Sequence, residues 1–329
     1  MLPTLTLPNG RITTTLGFGC ASLLRLPDPV DRQRLLDIAV DHGIRHLDVA
    51  RLYGLGLAEG ELSCLLRRHP GALSVATKFG LGEAGPPSGA AQRQGGLRRL
   101  LILVPALRSL AKQIHRSHLL ARNFSTDHCR QSLHTSLSQL GLEAVDLFLL
   151  HEPSPADLIP AELGDTLQEL QRQGLIGSYG LSGDWSDCLN LLATRPCLAG
   201  GWLQWEDDLL NPAPPFAPLH SGQPARYGRF GRIRCSLHTI RQYLAAVPQL
   251  QRHWSERLNC SLAEDVVLGA ALLGASMASD PEALLLYSTT DPVRLARTLA
   301  LLNDPPWNAS EAIAFEAFWR PPAAISFSP

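Results

Sequence analysis

Eight short β-type runs alternate with helical patterns along 329 residues. Composition does not shift along the chain, and the run Val145–His151 is apolar in the manner of a strand covered on both faces. Together these features predict an α/β protein: one closed (β/α)8 TIM barrel carrying an N-terminal β-hairpin. A doubly wound parallel sheet is the main structural rival. The prediction treats residues 1–329 as a single domain, with an insertion at 80–122 after the third strand.

The elements follow in order. Leu5 to Thr14 places Asn9-Gly10 between two short β-type runs, which signals a tight hairpin. Thr15–Ala21 reads as the first barrel strand. Val30–His42 reads as a helix with Leu35, Leu36, Ile38 and Ala39 on one face. Ile44–Ala50 and Leu73–Phe79 are the second and third strands, on either side of a helix at Ala58–Arg68. A helix begins at Thr126-Asp127 and stops at Gly141, before the fourth strand, Val145–His151. Pro160–Gln173 is helical, Ile176–Ser182 is the fifth strand, and Ser186–Ala193 is a short helix. Trp202–Trp205, Arg232–Leu237 and Ala283–Ser288 supply strands six to eight, with helices near 239–258, 262–277 and 292–302. Two stretches interrupt this rhythm. Residues 80–122 open with a Gly/Pro/Ala-rich loop and continue, over 94–122, as a basic amphipathic pattern that reads as a lid or solvated helix. Residues 211–231 are rich in Pro and Gly and read as irregular loop.

Charge narrows the partners. There are 29 Lys plus Arg against 30 Asp plus Glu, a net charge of −1, so the chain as a whole has no electrostatic case for binding nucleic acid. Only two of the basic residues are lysines, Lys78 and Lys112. Seven scattered cysteines without a Cys-x-x-Cys pair fit reduced thiols in a cytoplasmic protein. No signal-peptide pattern opens the chain, and the longest apolar run, Val266 to Ala275, is too short to span a bilayer. His115 and His118 lie three apart in the basic insertion with no third ligand nearby, so no metal is expected. Oligomeric state is not legible.

In a parallel barrel the reactive side chains sit at the C-terminal ends of the strands. That filter selects Asp48 near the end of the second strand and Tyr53 in the loop after it. It also selects Lys78 at the end of the third strand and His151 at the end of the fourth. Each alone has a bland reading, as a cap, a rim aromatic, a surface cation or a turn former. Delivered to one rim in strand order, they form a coherent set. An ammonium beside a phenol lowers the phenol's pKa, and a carboxylate holds the ammonium in place. An imidazole orients a carbonyl oxygen where charge develops. Such a site protonates an alkoxide as a hydride arrives, and the hydride implies a nicotinamide cofactor.

These residues carry a resemblance to the aldo/keto reductase superfamily. The shared stretches are Asp48-Val-Ala-Arg-Leu-Tyr53-Gly54 with Glu59 or Glu61 following, Ala76-Thr-Lys78-Phe79, and Ser132 through Gly141 and Asp146 to His151. The resemblance is specific to about residue 185. It implies a barrel that reduces aldehydes and ketones with NADPH, without metal. Tyr53 would be the general acid, Lys78 and Asp48 its tuning pair, and His151 the carbonyl-orienting group. It implies cofactor contacts from Gly19, Ser182, Gln204, Ser236, Ser288, Thr289 and Arg294, with Arg294 facing the adenosine 2′-phosphate. Three positions depart from the family pattern. Gly183 stands where Asn usually follows the serine, Cys235 stands where an aromatic is expected after the seventh strand, and Arg297-Thr298 replaces a Glu-Asn pair. These departures support an alternative, a reductase-fold barrel with a weakened cofactor site that acts as a binding or regulatory protein. An oxidative direction on a sugar hemiacetal is a variant of the enzyme reading. Substrate identity is not legible beyond a small carbonyl compound.

Overall fold

A computed structural model describes residues 1–82, 122–213 and 227–320. The expected basic helix at 94–122, apart from Arg122, and the His115/His118 pair lie outside the described residues. The architecture is the predicted one. A two-stranded antiparallel sheet, β1 (Thr4–Thr6) and β2 (Ile12–Thr14), precedes a closed eight-stranded barrel. The barrel strands are β3 (Leu16–Gly19), β4 (His46–Asp48), β5 (Ser74–Phe79), β6 (Val145–His151), β7 (Ile176–Gly183), β8 (Gly201–Glu206), β9 (Tyr227–Phe230) and β10 (Ala283–Tyr287). All eight pair in parallel, and β10 closes on β3. No helix among the described residues is long and apolar enough to cross a membrane.

The helices form where spacing and caps predict them. Pro29–Asp41 (α1) starts on Asp28, whose side chain accepts from the Val30 amide. Leu57–Arg68 (α2) follows a single 3-10 turn. Thr126–Leu140 (α3) is capped by Ser125 and ends at Gly141, which takes the left-handed conformation (φ 68°) that terminates a helix without side-chain strain. Leu163–Arg172 (α4) and Trp185–Thr194 (α5) cover the middle strands. Further on, Ser236–Ala246 (α6) and Pro248–Arg257 (α7) divide at Pro248, which sits at the first position of a new helix where its missing N–H costs nothing. One continuous helix was expected there. Asp265–Ser279 (α8) and Pro292–Asn303 (α9) match expectation, and a final helix, Ala309–Trp319 (α10), was not foreseen.

One barrel strand was misread. The seventh strand is β9, Tyr227–Phe230, and the stretch expected to form it, Arg232–Leu237, is a turn leading into α6. Strand β9 has only four residues and ends at Gly231 (φ 79°). Its length and the flanking Pro/Gly-rich composition hid it inside the stretch read as loop. The N-terminal hairpin also turns more widely than a two-residue loop, since the connection between the paired strands runs from Leu7 to Arg11, with Asn9-Gly10 at its tip.

The hairpin closes the lower end of the barrel. Leu5 and Leu7 join Ala76, Leu147, Leu149, Trp202, Leu284 and Leu286 in one buried interior cluster. A polar latch fixes this plug. The Asp146 carboxylate accepts from the Val75 amide at 2.8 Å, from Asn9 Nδ2 at 3.0 Å and from Arg11 Nη1 at 3.3 Å. With the lower end stoppered by leucines, polar side chains collect at the upper rim. Replacing Asp146 with Ala strands these donors and should destabilise the fold by about 2–4 kcal/mol. Asp146→Asn, which keeps an acceptor, should cost less. Denaturant midpoints that do not move in either variant would show that the latch is not holding the plug.

Candidate active site

The rim is built by strands that end at the same height. Asp48 is the last residue of β4 and pairs in register with Ala76 of β5, so Lys78 lies two residues further up the neighbouring strand. Lys78 is opposite Leu149, and His151 is opposite Ser182, which is in turn opposite Gln204. Alternation turns Lys78, His151, Ser182 and Gln204 to the interior face. Tyr53 arrives from the loop after β4, with its amide bonded to Ala50 O. That loop is braced by Glu59, fully buried, which accepts from Arg51 Nη1 at 3.0 Å and from Thr77 Oγ1 at 2.7 Å. Gly54 (φ 58°) lets the turn pass Leu24, because a Cβ there would lie 2.4 Å from Leu24 Cγ.

The four singled-out residues meet. Lys78 Nζ donates to Asp48 Oδ1 at 2.6 Å, to Val49 O at 3.1 Å and to the Tyr53 hydroxyl at 3.3 Å. The Tyr53 and His151 rings meet edge to face with centroids 5.7 Å apart. Lys78 and Asp48 are 1% and 3% exposed, so their charges have lost nearly all solvent and depend on each other. Burial works against the Lys78 ammonium, but Asp48 and then Tyr53 outweigh it and raise its pKa. The Tyr53 phenol does not behave as the sequence suggested. Burial raises its pKa, and Lys78 pulls against that shift without reversing it, while Asp48 adds to it. Burial, with the nearby charges of Lys78 and Arg122, drives the His151 pKa well below 6.5. At neutral pH the site therefore holds a neutral phenol, a cationic lysine and a neutral imidazole.

The expected cofactor residues divide into two groups. Ser182 and Gln204 lie in the interior beside the ion pair, and Gln204 Nε2 donates to Asp48 Oδ2 at 3.0 Å and to Ser182 Oγ at 3.3 Å. Gly19 ends β3 next to Ser288, whose hydroxyl bonds that of Ser22 at 2.7 Å. Thr289 accepts from the Asp291 amide, and Arg294 follows in the first turn of α9 with no ion pair to its exposed guanidinium among the described residues. Ser236 stands apart, because its hydroxyl is engaged with Asp208 and the Leu210 amide, bracing the loop after β8. Cys235 is exposed at the start of α6. The aromatic at the end of the seventh strand is instead Phe230, which packs on the interior cluster. The sequence signal for it was Tyr227-Gly-Arg-Phe230 followed by Gly231. Two further residues were not foreseen. Cys20 is a fully buried thiol at the end of β3, pushed up by burial and by Asp48, and Arg122 bonds Glu152 O and Asp157 beyond His151.

A parallel barrel with this buried acid, lysine, phenol and imidazole at its upper rim defines a class of barrel oxidoreductase. The aldo/keto reductase family model matches residues 15–194, more than half the chain, and the protein belongs to that family. It is 30% identical over 188 residues to D-threo-aldose 1-dehydrogenase from a Pseudomonas species, covering 55% of this chain and 53% of that one. It is 30% identical over 149 residues to pyridoxal 4-dehydrogenase from Microbacterium luteolum, covering 44% and 41%. The chain thus spans about half the length of the curated relatives it matches. Among solved structures, the glycerol dehydrogenase from Gluconobacter oxydans superposes with a TM-score of 0.68 at 18% identity, covering 99% of both chains. The holo form of an aldo-keto reductase from Bacillus halodurans gives 0.67 at 17% identity, again over 99% of both. A mutant of Gox0644 in complex with NADPH gives 0.60 at 16%, over 98% and 94%. These structural likenesses speak for the fold.

Two buried imidazoles make stability depend on pH. His46, fully buried with Nδ1 on Ser74 Oγ at 2.9 Å, is lowered by burial from 6.5 to about 4, and His151 is also lowered. The unfolded chain takes up protons at these histidines below about 6.5, whereas the folded protein resists protonation at His46 until near 4 and at His151 likewise to a pH well below 6.5. Stability should therefore be full above pH 6.5 and decline as pH falls from 6.5 towards 4. Carboxylates contribute to acid unfolding too, so the comparison that counts is His46→Gln, which should unfold with a shallower pH dependence over this window. Parallel curves for the two proteins would contradict the assignment.

Proposed function

We propose that the protein is an NADPH-dependent oxidoreductase that reduces an aldehyde or ketone to an alcohol, with Tyr53 as the general acid. The observation that carries this reading is the buried chain Asp48–Lys78–Tyr53, at 2.6 and 3.3 Å, set edge to face against His151 at the barrel rim. The residues present fit a dinucleotide. Gln204 Oε1 is buried without a partner beside Ser182, Phe230 ends the neighbouring strand, and the Arg294 guanidinium is open to a phosphate. Ser182 and Gln204 would hold the carboxamide, Phe230 would face the ring, Gly19 would let backbone approach, and Ser288, Thr289 and Arg294 would hold the adenosine 2′-phosphate. Bound NADPH supplies the hydride.

The remaining chemistry belongs to the chain. Tyr53, kept protonated by burial, gives its phenolic proton to the substrate oxygen as negative charge develops there. The Lys78 ammonium, 3.3 Å from that hydroxyl, stabilises the phenolate left behind, and Asp48 keeps the ammonium aimed at it. The neutral His151 imidazole donates to the carbonyl oxygen and orients it. The same groups serve the reverse reaction, in which an alcohol or hemiacetal loses its proton to the Tyr53 phenolate. The two curated relatives matched over about half their length, an aldose dehydrogenase and a pyridoxal dehydrogenase, favour small hydroxylated or aromatic aldehydes as the first compounds to try.

A second reading, a binding or regulatory barrel, draws on Gly183. Gly183 has no side chain to share the carboxamide, and a Cβ there would lie 3.0 Å from Glu152 Cα, tighter than ordinary contact. Tryptophan quenching by NADPH separates the readings: quenching at micromolar concentration supports the enzyme, and none at millimolar supports the binding protein. Under the enzyme reading, Tyr53→Phe should lower kcat for aldehyde reduction by about 10²–10⁴-fold with NADPH affinity retained. Lys78→Arg should keep charge and fold yet lose most activity, because a planar guanidinium does not reproduce a compact ammonium. Turnover unchanged in either variant would overturn the proton-transfer assignment.

A further inference from the structure

Gln204 stands in the barrel interior, 1% exposed, between groups with different tasks. Its Nε2 donates to Asp48 Oδ2 at 3.0 Å and to Ser182 Oγ at 3.3 Å, while its Oε1 is buried without a partner. The amide cannot be turned over, since that would set its oxygen against a carboxylate. The donor end is therefore committed to the ion pair, and only the acceptor end is open to an incoming N–H. Beyond Ser182, strand β7 offers no further polar side chain at this point. Gly183 has no side chain, and Glu152, held with φ at 49°, occupies the adjoining space.

We infer that Gln204 is a positioning residue for the proton-donating group: through Nε2 it holds Asp48 in line with Lys78, while its unpartnered Oε1 remains for the carboxamide contact already proposed. One side chain thereby links occupancy of the cofactor pocket to the geometry of the ion pair. The second half rests on the proposed function, whereas the first is a property of the free protein. The carboxylate of an aspartate turns about a broad torsion and needs both oxygens fixed to stay aimed. Lys78 fixes Oδ1, and among the described residues Gln204 supplies the hydrogen bond to Oδ2. The other groups facing Asp48 are Tyr53 from the following loop, Cys20 at the end of β3 and His46 two residues earlier on β4. None of these three makes a hydrogen bond to Asp48 in the structure.

The scarcity of lysine makes the free protein testable. With Lys78 and Lys112 the only lysines in the chain, acetylation by acetic anhydride can be followed at Lys78 by mass spectrometry without any cofactor. Gln204→Met should raise the Lys78 acetylation rate about tenfold, the loss expected from one hydrogen bond to a charged group. Gln204→Asn, too short to reach, should act in the same direction and serves if the Met variant does not fold. Ser182→Ala, which leaves the Asp48 contact intact, should acetylate like the parent while weakening NADPH quenching. In an Asp48→Asn background the Gln204 substitution should add less than about twofold, because its partner is already altered. Unchanged acetylation in both Gln204 variants, an equal rise in Ser182→Ala, or full additivity with Asp48→Asn would each overturn the positioning role. The predicted acetylation pattern in a protein that NADPH never quenches would overturn the link to the cofactor and the proposed function, while the hold on Asp48 would stand.

Discussion

An ammonium buried at the mouth of a barrel has to be neutralised where it stands, and the Asp48–Lys78 pair does this across 2.6 Å. Water is nearly excluded from both groups, so each charge is stable only because the other is held opposite it. Strand register keeps them opposed, since β4 and β5 are aligned through Asp48 and Ala76. The ion pair in turn sets the field in which the Tyr53 hydroxyl and the His151 imidazole sit. Loss of either partner leaves an uncompensated charge away from solvent.

The rest of the barrel can be seen as support for that pair. The leucines of the N-terminal hairpin fill the lower interior, and Asp146 ties the hairpin to β5 and β6. Glu59, buried and bonded to Arg51 and Thr77, anchors the loop that presents Tyr53. On the far side a second ionic group joins the loop after β8 to the last helix. Asp207 accepts from Arg229 and Arg232, and Arg232 also reaches Glu316 of α10. This network gives the C-terminal helix a fixed seat against the strands that carry Gln204 and Phe230.

How much of this was legible depended on element length and on locality. The strands β4 to β7 are flanked by clear helical periodicity, and Asp48, Lys78 and His151, at or one residue from the ends of β4, β5 and β6, could be assigned to one rim from order alone. Strand β9 could not, because four residues between Pro/Gly-rich segments carry too little alternation. The end of the seventh strand was consequently placed at Cys235, where no aromatic stands, whereas the strand ends on Phe230. Helix α10 was missed for a different reason: its apolar residues surround the whole helix, as the burial of Ala312, Phe315 and Glu316 beside exposed Ile313 and Phe318 illustrates. The direction of the Tyr53 pKa also escaped the sequence. Proximity to Lys78 can be inferred from spacing, but the desolvation that outweighs it depends on what the completed fold packs around the ring.

Glycine at position 183 shows how a departure from a family pattern can have a local steric cause. The left-handed turn at Glu152 leans on the end of β7 beside Gly183, one residue past Ser182, whose hydroxyl accepts from Gln204 Nε2. The central claim, that the lysine acts electrically on the phenol, can be measured without substrate or cofactor. The ionisation of Tyr53 is obtained by ultraviolet difference titration of the protein against its Tyr53→Phe variant, then repeated in a Lys78→Met background. Removal of the ammonium should move the Tyr53 ionisation to still higher pH than in the parent. Ionisation at the same pH in both backgrounds would contradict the account.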